Sequence, residues 1–506
     1  MSEIHEHDTG TETDVDTETE SEGNEILWRD VMPGIDECAH LTPLFPSFEE
    51  DEIFIVGDGT PESCLETELR EAVQQVNDNG RGRIEFRCGS AVHQILLTGP
   101  LVIDAGVQLS MDGGMNIVLD GREVFRIIVA QEASELFFER TIFMDGKADG
   151  ANGGGAVFID NQENSGRAIF SECVFKGNLS EQGSGGAIYA YRLSRLEIFR
   201  CVFQWNFSAT GGALFYFGSD LQVANSDFYG NEVFQDGGAV VFVEDELGSD
   251  TDSEEKEFPF CGNRFSNNFS IGDGSGLKIV QGIGSTSVIS YNEFLQNSTS
   301  EEFTPSDGAG VVNLRHGRLE MTSSSFVRNT STSSVGGIYL NTDDGFEIVN
   351  CTFFLNTSEE GEGGAIYQRD TNPGVVRNCS FVRNSAREGG AIYKEDASSL
   401  AIDNSIFIDN LNGDDEPGAC NTIFSGDHNF QWVHGYADLG TLCTPNTIHE
   451  NAFLMSPAYN GGFVLTCRLD ALSSARDVGE NCPALDARGE TRKVPCDAGA
   501  YEVVGE

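Results

Sequence analysis

A repeated motif, Phe-x-x-Asn, organises the middle of the sequence. It returns nine times at intervals of 25 to 37 residues, and a glycine pair or a Gly-x-Gly precedes the last eight copies. A fixed period of this kind is typical of repeat architectures, in which each unit stacks on its neighbours. The copies are Phe175/Asn178, Phe203/Asn206, Phe228/Asn231, Phe265/Asn268, Phe294/Asn297, Phe326/Asn329, Phe353/Asn356, Phe381/Asn384 and Phe407/Asn410.

The apolar residues inside each unit indicate β-strands. The positions seven and five residues before the phenylalanine are mostly apolar, as at Leu196 and Ile198. A spacing of two indicates a strand, and the step of three to the next inward position indicates a bend. Because one such unit cannot bury its own apolar face, the units must stack. The sequence therefore predicts an all-β fold, a right-handed parallel β-helix of about ten to twelve coils.

We predict structural roles for the repeated residues. The phenylalanines should stack in the core, and the asparagines should form a ladder of side-chain hydrogen bonds from coil to coil. The paired glycines should allow the tight turn at which each coil enters a strand. Several ladder asparagines also begin glycosylation sequences, as at Asn178-Leu-Ser, but a packed ladder position favours the structural role.

The composition limits the partners that this chain can have. With 82 acidic and 30 basic residues, the formal net charge is −52, and so strong a negative charge disfavours nucleic acid. We expect a disordered acidic tether at residues 1–52, an N-terminal cap with the first coils at 53–134, repeats at 135–410 and a C-terminal cap at 411–506. No apolar stretch is long enough for a transmembrane helix.

A second acidic run, residues 244–257, interrupts the repeat and is predicted to be a solvated loop. Its carboxylates could bind calcium, but neither acidic run has the spacing of a calcium-binding loop. We predict no cofactor, with calcium as the alternative.

Thirteen cysteines indicate an oxidising compartment. Cys173 and Cys201 share one register in adjacent coils, as do Cys351 and Cys379, and stacked thiols are favoured over disulfides there. The better disulfide candidates lie in the caps. Cys64 is predicted to pair with Cys88, and a second group of cysteines has a pairing that the sequence leaves open. That group is Cys420, Cys443, Cys467, Cys482 and Cys496.

The segment GGAIY, which occurs at residues 185–189, 363–367 and 389–393, alternates with Phe-x-x-Asn. This alternation resembles the repeat of the polymorphic outer-membrane proteins, which are surface-exposed β-helix adhesins or autotransporter passengers. The resemblance covers roughly residues 135–410 and implies a bacterial protein at the cell surface or outside the cell.

Two flanking segments carry a second resemblance. Leu69-Arg-Glu-Ala is similar to the leader of CSLREA-type β-helix proteins, and Leu69, Ala72, Val73 and Val76 form one apolar face of a predicted capping helix. The closing region resembles that of choice-of-anchor Q proteins. The matching residues are Asp486, Arg488, Gly489, Asp497, Gly499, Ala500, Tyr501 and Glu502.

No export signal is visible in the first residues, which have no basic region followed by an apolar one. The acidic start resembles the tether that follows a secretion or lipoprotein signal, and we expect such a signal upstream of Met1.

Two functions remain open. The first is a non-catalytic β-helix that presents loops to a surface glycan or a protein ligand. The second is a polysaccharide lyase or glycoside hydrolase that acts on acidic glycans in a groove of the β-helix. Asp343 and Asp344 are the only catalytic candidates, and the absence of a neighbouring histidine motif favours a surface turn and the first function.

Overall fold

Each repeat forms one turn of a parallel β-helix with three strands, which we call faces 1, 2 and 3 in chain order. The structure is a computed structural model that describes residues 35–235, 237–245, 255–300, 310–395 and 399–504. About 13 turns stack through parallel strand pairing, and the predicted fold class is confirmed.

The strands of each face pair in register from coil to coil. Face 1 comprises Leu101–Ile103, Ile128–Ala130, Leu214–Gly218, Val240–Glu244, Leu277–Val280, Val312–Arg315, Ile338–Asn341, Ile366–Gln368 and Ile392–Lys394. Face 2 comprises Ile53–Val56, Arg81–Phe86, Leu221–Ala224, Lys256–Cys261, Ser285–Ser290, Arg318–Thr322, Phe346–Val349, Gly374–Arg377 and Leu400–Asp403. Face 3 comprises His93–Leu96, Val174–Lys176, Val202–Gln204, Asp227–Tyr229, Arg264–Ser266, Glu293–Leu295, Ser325–Val327, Thr352–Phe354, Ser380–Val382, Ile406–Ile408 and Phe430–Trp432.

Four long strands and one small sheet complete the coils. Gln108–Asp120 and Glu135–Met144 run through faces 2 and 3, and Val157–Ser171 and Ile188–Phe199 run through faces 1 and 2. The small sheet follows face 3 and comprises Leu179–Ser184, Phe207–Thr210, Glu232–Val233, Phe269–Ser270, Ser298–Thr299, Thr330–Ser331 and Thr357–Ser358.

The two glycines of a pair serve different purposes. Gly185 has a φ of 69°, a left-handed conformation that side chains disfavour. At Gly186, a Cβ atom would lie 2.2 Å from the carbonyl oxygen of Gly212 in the next coil. The first glycine therefore makes the turn, and the second allows the coils to approach.

Left-handed bends also separate the strands where no glycine is present. One column of positive φ lies between faces 2 and 3, as at Asn350, Asn378 and Asn404. Another lies just before each ladder asparagine, as at Arg383 and Asp409. Because side chains alternate along a strand, each bend changes which positions of the following strand point into the core.

The phenylalanines of face 3 stack along the core. Neighbouring rings lie 4.5 to 5.0 Å apart between centroids and are almost parallel, from Phe143 through Phe175 to Phe407. This separation equals the distance between strands, so one backbone register sets both spacings. All ten rings of this column are buried.

The asparagine ladder is continuous and buried. The Nδ2 atom of Asn329 donates to Oδ1 of Asn356 at 2.9 Å and to the carbonyl of Phe294 at 2.9 Å. Its Oδ1 atom accepts from the backbone amide and from Nδ2 of Asn297. Each side chain in the interior of the ladder thus makes four hydrogen bonds across three coils, and the end members Asn178 and Asn410 make three.

The N-terminal helix, Glu66–Asn79, buries Leu69, Ala72, Val73 and Val76 against the first strands, as predicted. Three short 3₁₀ helices, Asp36–Leu41, Glu50–Glu52 and Pro61–Ser63, precede it, and a fourth, Gly413–Asp415, follows the repeats.

Residues 35–52 differ from the predicted disordered tether, whose residues 1–34 lie outside the described part. Cys38 forms a disulfide with Cys261, the Ile35 amide donates to Oδ1 of Asn225, and Phe45 packs on Phe137. This segment, which we call the N-terminal arm, is held because it contributes apolar side chains and a covalent bond that its acidic composition does not reveal. The acidic run at 244–257 is described only at its ends.

The C-terminal region packs back along the β-helix, and we call residues 451–503 the C-terminal arm. The bend asparagines Asn350, Asn378 and Asn404 donate to the carbonyls of Leu485, Asp497 and Glu480. Both arms reach Tyr291, which packs with Ile35 and Cys38 on one side and with Val464, Ala487 and Ala500 on the other. The two arms therefore cover the bend between faces 2 and 3.

Replacing a ladder asparagine should destabilise the fold. We expect Asn329→Ala to lower the free energy of unfolding by at least about 1–3 kcal/mol, because buried groups of Asn297 and Phe294 lose their partners. Urea unfolding followed by circular dichroism measures this. The exposed neighbour supplies the control, since Thr330→Ala should change the value by less than about 0.5 kcal/mol. Equal effects of the two variants would contradict the ladder's role.

The N-terminal arm should depend on its disulfide. In a Cys38→Ala/Cys261→Ala variant, a Glu-specific protease should cut within residues 35–52 faster than in the parent protein, because the arm loses its covalent bond and is then held by non-covalent contacts alone. Mass spectrometry of the fragments locates the cuts. Unchanged cleavage would show that packing alone holds the arm.

Candidate functional site

The repeated residues that the sequence singled out all lie inside the coils. Each is 0 or 1% exposed. They are Phe175, Asn178, Phe203, Asn206, Phe228, Asn231, Phe353, Asn356, Phe381, Asn384, Phe407 and Asn410. In this position the ladder amides are shielded from solvent.

The cysteines of the repeats form part of a second polar column. The backbone amide of Cys173 donates to Sγ of Cys201, and the amide of Cys351 donates to Sγ of Cys379, both at 3.4 Å. Serine and asparagine side chains accept the same bond in other coils. Burial raises the pKa of the Cys173 and Cys351 thiols well above the ordinary value. These two thiols are therefore weak nucleophiles. The cysteine column has a structural role, because its sulfur atoms accept hydrogen bonds from backbone amides.

Four disulfides connect residues in or near the caps and arms. Cys64 pairs with Cys88, Cys420 with Cys443, and Cys482 with Cys496. Cys38–Cys261 is a pairing that the sequence did not suggest, since Cys261 lies in the repeats. Cys467, one of the disulfide candidates, is instead a buried thiol whose pKa burial raises to about 12.

The two catalytic candidates lie in a turn that connects loops of three coils. The amides of Asp343 and Asp344 donate to the carbonyl of Gly317, and Oδ2 of Asp344 accepts from the Gly284 amide. Nδ1 of His316 lies 2.9 Å from Oδ2 of Asp343, so a histidine is present that the sequence spacing did not reveal. The side chains of His316 and Asp343 are both exposed, and the hydrogen bonds of this turn hold its loops together.

A cleft of about 280 Å³ lies between face 3 and the C-terminal arm. Its polar wall includes Arg383, Asp409, His434 and Asp470, and its apolar wall includes Phe354 and Leu454. Arg383 and Asp409 both precede a ladder asparagine in neighbouring coils, so the repeat register places them side by side. His434 comes from the irregular segment after the repeats, where the sequence offers no register.

The polar groups of the cleft are partly engaged with one another. Asp409 accepts from the backbone amide of His434, and Nδ1 of the ring lies 2.9 Å from both carboxylate oxygens. Arg383 is 3.9 Å from Asp409, and the side chain of Asn451 lies 3.3 Å from Nε2 of His434. This arrangement could move a proton through His434, but Asp409 is already committed to the ring.

The motif at the C-terminus forms a buried hydrogen-bond network. Asp486 accepts from the guanidinium of Arg488, which also lies over the ring of Tyr501 at 3.7 Å. Glu502 accepts from Arg492 and from backbone amides. The residues of the closing motif therefore have a structural role, because their hydrogen bonds hold the end of the C-terminal arm together.

Three carboxylates in this region, those of Asp477, Asp497 and Glu502, lie within 4.8 Å of one another. The amides of Asp477 and Val503 donate to the two oxygens of Asp497, and Arg492 lies beside Glu502. The two buried carboxylates are therefore balanced by donors of the chain itself.

Face 1 carries an outward group of five aromatic rings, which we call the aromatic patch. It consists of Phe158, Tyr189, Tyr191, Phe215 and Phe217, from three successive coils. The rings alternate with buried residues, point away from the core and are partly exposed. In GGAIY the tyrosine follows an inward isoleucine, so period-two alternation alone could have predicted that it faces outward.

The rings of the patch stack on one another along the coil axis. Phe158, Tyr189 and Phe215 are 5.5 and 5.4 Å apart between centroids, and Tyr191 and Phe217 are 4.8 Å apart. The guanidinium of Arg126 lies over the outer side of Phe158 at 4.7 Å. Ring faces are therefore covered, while ring edges and tyrosine hydroxyls face outward.

Family models match two parts of the chain. The right-handed beta helix region matches residues 302–435, and the Chlamydia polymorphic membrane protein repeat matches residues 172–191. The chain is a right-handed β-helix protein with repeats similar to those of the polymorphic membrane proteins. Comparison with curated proteins and with solved structures gives no match. Within the part of the β-helix that the structure describes, the helices are too short or too polar to cross a lipid bilayer.

The five thiols of this β-helix protein should resist alkylation in the native state. Their burial, and a pKa of about 12 at Cys467, keep the reactive thiolate scarce at pH 8 to 9. Iodoacetamide followed by mass spectrometry should modify none of them in buffer and all five in guanidinium chloride without reductant. Rapid native labelling at Cys173 or Cys351 would contradict the neutral, packed state of the column.

Proposed function

We propose that this protein is a non-catalytic β-helix of the bacterial cell surface or exterior that binds a surface glycan or protein ligand through face 1. The similarity to the polymorphic membrane protein repeat supports the location. The CSLREA-like leader and the choice-of-anchor Q-like closing region are part of this proposal, on the residues given above.

The observation that carries the proposal is the aromatic patch. Parallel sheets usually have both sides covered. Here the arms cover the bend between faces 2 and 3, while the partly exposed rings of face 1 have no covering segment among the described residues. Exposed apolar groups of this kind mark interaction surfaces. The repeated asparagines, by contrast, are buried in the coils, where they form hydrogen bonds with one another.

The second candidate function is a polysaccharide lyase or hydrolase, and the cleft is the observation that favours it. Asp409, His434 and Arg383 combine a carboxylate, an imidazole and a cation beside an apolar wall. A hydrolase needs two carboxylates free for separate roles. Asp409 is bonded to His434 and to the backbone, which favours binding over catalysis.

Turnover assays separate the two functions. We expect no release of reducing ends and no unsaturated product from neutral or uronate-containing polysaccharides, with or without calcium, and retention of the protein on an immobilised glycan or protein without turnover. His434→Ala is the matched variant, and it should behave like the parent protein. Turnover that His434→Ala abolishes would establish the cleft as an active site and overturn the proposal.

A further inference from the structure

The aromatic patch has a definite chemical character that narrows its partner. Tyr189 is sandwiched between Phe158 and Phe215, while Tyr191 stacks on Phe217 and has the guanidinium of Arg192 over its ring at 5.5 Å. Arg126 lies over Phe158, and side chains of the next coil lie beyond Phe215 and Phe217. A sugar binds aromatic residues by stacking on a ring face, and the stacked ladder offers none. Ring edges instead suit apolar side chains that pack against them in tilted or edge-to-face contacts.

Carboxylates form the rim of the patch on its N-terminal side. Asp160 lies beside Tyr191 in register, and it accepts no hydrogen bond from the residues that the structure describes. Glu163 is exposed nearby, while Glu132 accepts the amides of Gln162 and Glu163. Burial and then the nearby charge of Glu132 raise the pKa of Asp160, whereas the charge of Arg192 lowers it.

The few cations at the patch are already engaged. Arg126 donates to the carbonyls of Asn152 and Gly153, and Arg192 donates to the carbonyl of Gln162 and lies 3.9 Å from Asp245. These bonds hold the two guanidiniums against the backbone, whereas the carboxylate of Asp160 accepts no hydrogen bond from the described residues and is available to a partner, on a chain whose formal net charge is −52. A second copy of this chain would bring like charges together, which disfavours self-association.

The size of the patch favours a linear segment. Three coils, together with the flanking coils, span roughly 15 to 20 Å at the strand spacing. An extended peptide covers that distance with about five or six residues. A contact surface of this length is smaller than a typical stable interface between folded domains.

We propose that the aromatic patch and its acidic rim bind an extended basic polypeptide segment. Its apolar side chains pack on the ring edges of Tyr189, Tyr191 and Phe217, and its lysine or arginine side chains pair with Asp160 and the neighbouring carboxylates. This inference rests on the proposed binding function and names the partner class for face 1.

Three labelled octapeptides test the partner class. One alternates phenylalanine with arginine, one alternates phenylalanine with glutamate, and one alternates serine with arginine. Fluorescence anisotropy on the full chain should show that the Phe/Arg peptide binds about tenfold or more tightly than either of the others. Its affinity should fall as sodium chloride rises from low to moderate concentration, because exposed charge pairs are screened.

Two variants locate the binding. Tyr191→Ser/Phe217→Ser should weaken Phe/Arg binding about tenfold. By contrast, Tyr367→Ser/Tyr393→Ser, in the outward column of Tyr189 and Phe215 farther along face 1, should leave it unchanged. Asp160→Asn, which removes no packing contact, should weaken binding about two- to fivefold and reduce its salt dependence. Circular dichroism confirms that each variant is folded.

Equal binding of the Ser/Arg and Phe/Arg peptides would reduce the effect to general charge attraction and overturn the inference. Unchanged binding in both the Tyr191/Phe217 and Asp160 variants would overturn it as well. Concentration-dependent dimers in light scattering that the Tyr191/Phe217 variant abolishes would assign the patch to self-association instead. The first two outcomes overturn only the partner class, because face 1 could still bind a ligand of another class. Dimers through the patch would contradict the proposed function as well, and the turnover assay with His434→Ala tests that function independently of the peptides.

Discussion

The left-handed bends are the constraint on which the rest of the β-helix depends. A non-glycine residue in this conformation costs roughly 1–2 kcal/mol, and most coils contain two such bends. The residue after each bend compensates by accepting a backbone amide of the adjacent coil, with Asn, Ser or Cys at one bend and Asn at the other. Because each bond joins neighbouring coils, no coil is stable alone, and the register of one coil fixes the next.

This dependence explains why asparagine recurs at the second bend. Its side-chain oxygen accepts two hydrogen bonds from the preceding coil, and its NH₂ group donates one to a carbonyl of that coil and one to the asparagine of the following coil, so the buried polar atoms of the turn are satisfied. A serine has one hydroxyl and cannot replace all four bonds. The inward-facing positions are consequently restricted to residues that pack or form these hydrogen bonds, whereas the outward-facing positions can vary from coil to coil. Along face 1 the same outward column changes from Tyr189 to Lys278 and back to Tyr339.

The sequence predicted what is periodic and missed what is not. The spacing of Phe and Asn sets the coil, the stack and the ladder, since local patterning alone determines them. The same register places Arg383 beside Asp409 and turns Tyr189 outward. It carries no information on His434, on the pairing of Cys38 with Cys261, or on the path of residues 35–52, because these depend on where non-repeating chain returns to the coils. The acidic composition of the start suggested disorder, but Ile35 and Leu41 supply enough apolar surface for docking.

In-register stacking also explains how so acidic a chain uses its few cations. Identical positions in adjacent coils lie about 4.8 Å apart, so a column of carboxylates would repel itself. Arginines of the same and neighbouring coils pair with such groups: Glu197 accepts from both Arg167 and Arg195, and Arg83 contacts both Asp112 and Glu139. Most lysines and arginines of the described residues form ion pairs of this kind within the coils and caps. The cations are thereby consumed in holding the fold together, and the charge that remains for a partner is negative.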